Sequence, residues 1–137
     1  MGRKVLLGFI VVFILVFALD YVVNMYLMAG EYKATESLWR KPEEMKMGVI
    51  IIAQIFFSFF FTLIFSKGWE GRGIAEGIRY GVYVAFMMMI PAAYMTYATM
   101  PVPYSLSLKW FLFGLVQYII YGVALSLIFG KKEPAKV

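Results

Sequence analysis

The chain has 137 residues, of which 63% are hydrophobic and only 15% are charged, and its mean hydropathy is +0.80. A soluble domain of this size cannot bury so much apolar surface, so the composition excludes that class. The chain contains no cysteine and no histidine, which excludes disulfide frameworks, thiolate nucleophiles, Fe–S clusters, ordinary haem and His-based zinc sites, and Ser-His-Asp relays. We therefore expect a non-enzymatic protein with no metal and no cofactor.

Four apolar segments follow one another along the chain, each about 20 residues long. They cover residues 5–28, 47–65, 80–100 and 110–129. As a helix, such a segment is about 30 Å long, which matches the hydrocarbon core of a bilayer. The sequence thus predicts an all-α polytopic membrane protein, with four transmembrane helices in an antiparallel bundle that forms a single domain over residues 1–137.

Basic residues at the ends of the spans indicate the topology. With four spans both termini share one side, and that side would carry Arg3, Lys4, Lys67, Arg72, Arg79, Lys131, Lys132 and Lys136. The other side would carry Lys33, Arg40, Lys41, Lys46 and Lys109. The excess on the terminal side predicts that both termini are cytoplasmic. The net charge of +5 is then explained by contact with anionic lipid headgroups, and we expect no nucleic-acid partner.

The first connection, residues 29–46, is the only one long enough to hold structure of its own. We expect a short interfacial helix over residues 31–39, with Tyr32 and Trp39 as membrane anchors. Proline is favoured in the first turn of a helix, and therefore the second transmembrane helix is predicted to begin at about Pro42.

Small residues recur every four positions on one face of the third span, and a similar row follows on the fourth. The candidate helix-packing residues are Gly73, Gly77, Gly81, Gly114 and Gly122. Such rows let helix backbones approach closely within a membrane, so we expect the third and fourth spans to pack together. At the start of the third span, Glu76 and Arg79 are three residues apart and are predicted to form a surface ion pair.

Polar residues within the apolar spans mark a possible site. Asp20, Gln54 and Gln117 each lie eight residues from the outer end of their predicted span, so all three are expected about 12 Å below the outer surface. Asn24 lies one turn from Asp20, and the third span reaches the same depth at 91–94, where a proline leaves a backbone carbonyl without its helical partner. The candidate ligand-binding residues are Asp20, Asn24, Gln54, Tyr94 and Gln117.

This polar layer has two interpretations. A membrane carboxylate costs roughly 3 kcal/mol at mid-membrane, so Asp20 must face the bundle and find partners. In the structural interpretation, which we prefer, the acid and the amides satisfy one another and fix the packing of the helices. In the alternative, the layer binds or transports a small molecule, a lipid or a proton.

Several segments carry a resemblance to a known class of proteins. They are the block 67–81, the helix with Pro91, the segment 101–103 and the pair Asp20 and Asn24. The chain resembles small four-span bacterial inner-membrane proteins of unknown function. The resemblance implies a multi-pass protein of the inner membrane and brings no site residues with it. The short loops favour an accessory or scaffold subunit, with the lipid bilayer and other membrane subunits, or a second copy, as partners.

Overall fold

The computed structural model describes residues Gly2–Lys132. Within that part of the chain, four helices are long and apolar enough to cross a membrane, and they pack against one another, which confirms the predicted all-α, four-span architecture. The helices are α1 (Gly2–Val22, continued by a π turn over Val23–Leu27), the short α2 (Ala29–Ala34), α3 (Met47–Gly68), α4 (Ile74–Thr99) and α5 (Tyr104–Phe129). We call the end of the bundle with Gly2 and Lys132 the terminal side and the end with residues 29–46 the loop side.

The observed helices extend beyond the apolar segments. The third transmembrane helix begins at Ile74 and the fourth at Tyr104, six residues before the apolar segments that start at residues 80 and 110. Hydropathy locates the part of a helix inside the hydrocarbon, whereas the hydrogen-bonded helix continues into the interface. The start predicted at Pro42 is wrong, because Pro42–Glu44 forms a separate 3₁₀ turn and α3 begins at Met47.

Helices α4 and α5 pack along most of their lengths. A Cβ atom added to Gly77 would lie 2.7 Å from the carbonyl carbon of Gly122, and one added to Gly81 would lie 2.7 Å from the Cα atom of Ile119. These partners are backbone atoms, which cannot move aside as a side chain can. Glycine at Gly77 and Gly81 is therefore required for the two backbones to approach.

Gly122 of α5 lies at the same contact, against the backbone of Gly77. The predicted packing residues Gly73 and Gly114 lie instead against side chains. A Cβ atom on Gly114 would lie 2.7 Å from Cγ of the flexible Met89 side chain. Gly73 precedes α4 instead of lying within it, with a φ of 83°, and its neighbour is the side chain of Lys131. Its role is to let the chain turn into α4, since a positive φ favours glycine.

Helix α1 lies against both α3 and α5. The buried cluster between these helices contains Val12, Val16, Phe61, Phe65, Tyr121, Leu125 and Phe129. Gly8 of α1 is closely packed, because a Cβ atom there would lie 2.8 Å from side-chain carbons of Thr62 and Leu125. Helices α3 and α4 are bridged by aromatic rings, with the ring centroids of Phe61 and Tyr80 4.7 Å apart.

The predicted Glu76–Arg79 ion pair is wrong. Glu76 is buried, and its carboxylate accepts hydrogen bonds from the backbone N–H groups of Glu70, at 2.6 Å, and Arg72, at 3.1 Å. Arg79 instead pairs with Glu70 at 3.2 Å. The glycine-rich α3–α4 connection has backbone N–H groups that need acceptors, and the buried Glu76 carboxylate provides them. Glu76 therefore holds the connection in place.

Replacing Gly77 with Leu should push α4 away from α5 and lower the apparent melting temperature in detergent by about 5 °C or more, as expected for overpacking against backbone. The matched control is Ile78→Leu, one residue along on the exposed face of the same helix, which should melt close to the parent protein. Equal melting temperatures for the two variants would contradict a close α4–α5 contact.

Candidate functional site

The Asp20 carboxylate joins three helices. Its Oδ1 atom accepts a hydrogen bond of 2.8 Å from Nε2 of Gln117 on α5, and its Oδ2 atom accepts one of 3.1 Å from Nε2 of Gln54 on α3. The structure therefore brings together the three residues that were predicted to share one level. We call Asp20, Gln54, Gln117 and Tyr121 the Asp20 cluster.

Both glutamines are almost fully buried, with exposed fractions of 9% for Gln54 and 8% for Gln117. Nε2 of Gln117 also donates to the hydroxyl of Tyr121, one turn further along α5, at 3.1 Å. The ring of Tyr121 lies against Phe57 and Phe61 of α3. The cluster thus combines a carboxylate, which only accepts when ionised, with neutral amide donors in an apolar setting.

Asn24 lies one turn from Asp20, but its side chain forms hydrogen bonds with groups outside the Asp20 cluster. Its amide nitrogen donates to the backbone carbonyl of Asp20 at 2.9 Å, and its Oδ1 atom accepts a bond of 2.8 Å from the hydroxyl of Tyr32. That hydroxyl also accepts a bond of 2.7 Å from the indole N–H of Trp110. Asn24 lies in the π turn that ends α1, a feature often found at functional sites, and connects α1 to the loop side.

Tyr94 does not reach the Asp20 cluster, so its predicted place in the layer is wrong. Its hydroxyl lies 3.1 Å from that of Tyr104, at the first residue of α5. Because α5 begins earlier than hydropathy indicates, Gln117 is thirteen residues into the helix, or about 20 Å. Tyr94 is only five residues, about 8 Å, from the end of α4. The two residues therefore occupy different depths.

Helix α2 is held on the loop side by an ion pair and by three aromatic rings that meet edge to face. The carboxylate of Glu31 accepts bonds from Nζ of Lys109, at 2.9 Å, and from the hydroxyl of Ser105, at 3.1 Å. The Lys109 ammonium lowers the pKa of Glu31 below its ordinary value of 4.5. A short helix is thus present in this connection, but it covers Ala29–Ala34 and a separate 3₁₀ turn follows over Glu36–Leu38, instead of one helix over residues 31–39. Helix α2 is fixed to the start of α5.

The aromatic part of this contact includes both expected anchors. The rings of Tyr32 and Trp39 meet edge to face with centroids 5.6 Å apart, and Trp39 meets Trp110 in the same way at 5.9 Å. Burial raises the pKa of the Tyr32 hydroxyl, and this hydroxyl donates a hydrogen bond to Oδ1 of Asn24. The three rings pack together on the loop side.

A row of polar residues on α3 was missed in the sequence analysis. Gln54, Ser58, Thr62 and Ser66 follow at intervals of four residues, and all four are buried. Oε1 of Gln54, Oγ of Ser58 and Oγ1 of Thr62 have no hydrogen-bond partner within residues 2–132. We call these four residues the α3 polar row. The four-residue spacing could have identified this row from the sequence. It did not stand out, because serine and threonine are common in membrane helices.

Two shallow clefts, of about 340 and 380 Å³, lie between helices on the terminal side, and Asp20 lines neither of them. Among residues 2–132 no group of three or more acidic side chains could hold a metal ion. Comparison of the chain with protein-family models, with curated proteins and with solved structures finds no match. The geometry of the Asp20 cluster and of the α3 polar row is therefore the basis for assigning a role.

Acidification should release α2 from α5. A pKa lowered by Lys109 stabilises the docked state at a pH above the ordinary value of 4.5, and that stabilisation is lost as the pH falls through the lowered value. Tryptophan fluorescence in a Trp69→Phe background, which reports Trp39 and Trp110, should change below pH 4.5. The control Glu31→Gln should lack this transition, and an identical pH profile in both proteins would count against the ion pair.

Proposed function

We propose that the chain is a non-enzymatic integral membrane protein, an accessory or scaffold subunit of a larger assembly in a bacterial inner membrane. The main support for this proposal is the hydrogen bonding of the Asp20 carboxylate. Each of its two oxygens accepts a hydrogen bond from a glutamine on another helix. An intramembrane acid that is satisfied by neutral partners from its own bundle fixes how the helices pack. The bundle is then a braced, rigid body suited to a supporting role.

The orientation that we propose places both termini in the cytoplasm. Most of the basic side chains lie on the terminal side, in agreement with the positive-inside rule. Two of them, Lys4 and Lys132, lie over the ring of Trp69 at 5.4 and 5.0 Å from its centroid. Lys136, which contributed to the sequence argument, lies outside the described residues.

A partner within the membrane is supported by the exposed face of α4. Met87, Met88 and Met95 of this helix are between 44% and 67% exposed. Methionine is flexible and polarisable, and it adapts to the shape of a contacting surface. In our proposal this face contacts another membrane subunit, or a second copy of the chain, in addition to lipid.

Purification in a mild detergent tests the proposed subunit role. A tagged chain expressed at its natural level should bring down one or more membrane proteins in a fixed ratio, and the same extract with an untagged chain should not. Recovery of the chain as a free monomer with lipid alone would contradict the proposal.

Replacing Asp20 separates its packing role from its charge. Asp20→Asn keeps the size and the hydrogen-bonding ability, and its new N–H group can donate to the unpartnered Oε1 atom of Gln54. The variant should therefore assemble normally and be as stable as the parent protein or more so. Asp20→Leu leaves two buried glutamines without their acceptor and should be less stable, by about 1 kcal/mol.

Unfolding free energies in mixed micelles measure this difference, with the oligomeric state of each variant checked by size-exclusion chromatography. If Asp20→Leu proved as stable as Asp20→Asn, the carboxylate would not brace the helices.

A further inference from the structure

Three buried polar atoms of the α3 polar row lack hydrogen-bond partners within the described residues. Ser58 and Thr62 are both 0% exposed, and their hydroxyl oxygens have no partner within the described residues. A hydroxyl buried without a partner costs roughly 1–3 kcal/mol in proteins. Serines in helices commonly avoid this cost by donating to a backbone carbonyl, as Ser66 does with Leu63 and Ser126 does with Val123. Ser58 and Thr62 do not.

Water molecules would satisfy the row. Residues four apart on a helix are separated by about 6 Å along the axis, which is too far for a direct hydrogen bond between neighbouring members. A single water between two such groups has hydrogen-bond partners on both sides, and buried waters usually bind where polar groups are otherwise unsatisfied. From Gln54 to Ser66 the row extends about 18 Å, so a few waters complete a continuous chain.

Each end of the row reaches a polar group outside it, Lys67 on the terminal side and Asp20 at the other end. On the terminal side, Ser66 lines the 340 Å³ cleft between α1 and α3, together with Lys67 and Gly2. Its hydroxyl donates to Leu63 and keeps its lone pairs free to accept. At the other end, Gln54 donates to Asp20 and leaves its Oε1 atom unpartnered. The row thus extends from the terminal-side cleft to the Asp20 carboxylate.

We propose that the α3 polar row holds a file of water molecules that conducts protons between the terminal side and Asp20. Ser58 and Thr62 are the relay groups, since a hydroxyl can accept one proton while it donates another. In each step one O–H bond forms and one breaks, so that a proton entering at Ser66 is matched by one that binds the Asp20 carboxylate. No electron moves, and no other reactant is needed.

The groups around Asp20 permit this role. The titratable side chains that face it are Tyr118 and Tyr121 of α5 and Tyr32 of α2, all of which are neutral when protonated. The partner on α3 is the neutral Gln54. Beyond Asp20, α1 ends after seven more residues, or about 10 Å, and Asn24 in that segment is exposed. A proton released there reaches the loop side, which completes a path across the bundle. This function is additional to the bracing role and does not depend on it.

Proton flux into vesicles tests the path. The full chain is reconstituted into liposomes that contain a pH-sensitive dye, and a potassium diffusion potential set with valinomycin drives protons inward. Vesicles with the parent protein should acidify faster than protein-free vesicles. Thr62→Val, which keeps the shape of the side chain and removes its hydroxyl, should lower the protein-dependent rate by about tenfold. Ser58→Ala should do the same, and Asp20→Asn should abolish the flux.

Matched controls separate loss of the path from loss of fold. Thr62→Ser restores a hydroxyl at the same position and should conduct. Ser126→Ala removes a buried serine that bonds to its own helix, so it should conduct like the parent protein. Circular dichroism and size-exclusion chromatography of every variant confirm that the bundle is intact before flux is compared.

Two results would overturn the proposal. The first is a parent protein whose vesicles acidify no faster than protein-free ones. The second is a conducting protein whose rate is unchanged by Thr62→Val and Ser58→Ala together, since protons would then pass elsewhere.

Discussion

The structure depends on how one carboxylate is satisfied inside an apolar bundle. The Asp20 side chain on α1 has two oxygens that need hydrogen-bond partners, and the neighbouring helices provide one donor each from Gln54 and Gln117. These bonds fix the axial positions of α1, α3 and α5, because a shift of either neighbour by one turn, about 5.4 Å, would leave the carboxylate and an amide without partners. Close packing at Gly8 then follows, since the same register brings it opposite Thr62 and Leu125.

Helix α4 is attached by a different interaction. It packs on the glycine face of α5, where Gly77 meets Gly122, whereas Gln117 lies on the face of α5 that bonds to α1. Contact between backbones holds α4 by dispersion and shape and requires no polar partner. The bundle thus combines a polar brace on one side of α5 with a close-packed contact on the other, and the buried Glu76 joins the terminal-side connection to α4.

The spans, the shared level of Asp20, Gln54 and Gln117, and the α4–α5 contact follow from hydropathy and residue spacing, because each depends on position along a single helix. Tyr94 and Glu76 were misplaced for a different reason. Their partners are decided by where a helix begins in the interface and by which backbone donors a loop leaves free, and hydropathy reports neither. The unpartnered state of Ser58 and Thr62 depends on side-chain rotamers and neighbouring helices, so spacing alone identifies the row without showing that it lacks partners.

A double-mutant cycle between Asp20 and Gln117 measures the brace most directly. The unfolding free energies of the parent protein, Asp20→Leu, Gln117→Leu and the double variant are determined in mixed micelles, with Asp20→Leu combined with Thr96→Val on α4 as the uncoupled control pair. We expect a coupling energy of about 0.6–1.7 kcal/mol for Asp20 and Gln117, the range of hydrogen bonds between membrane helices. Additive effects of the Asp20 and Gln117 substitutions, to within about 0.3 kcal/mol, would contradict it.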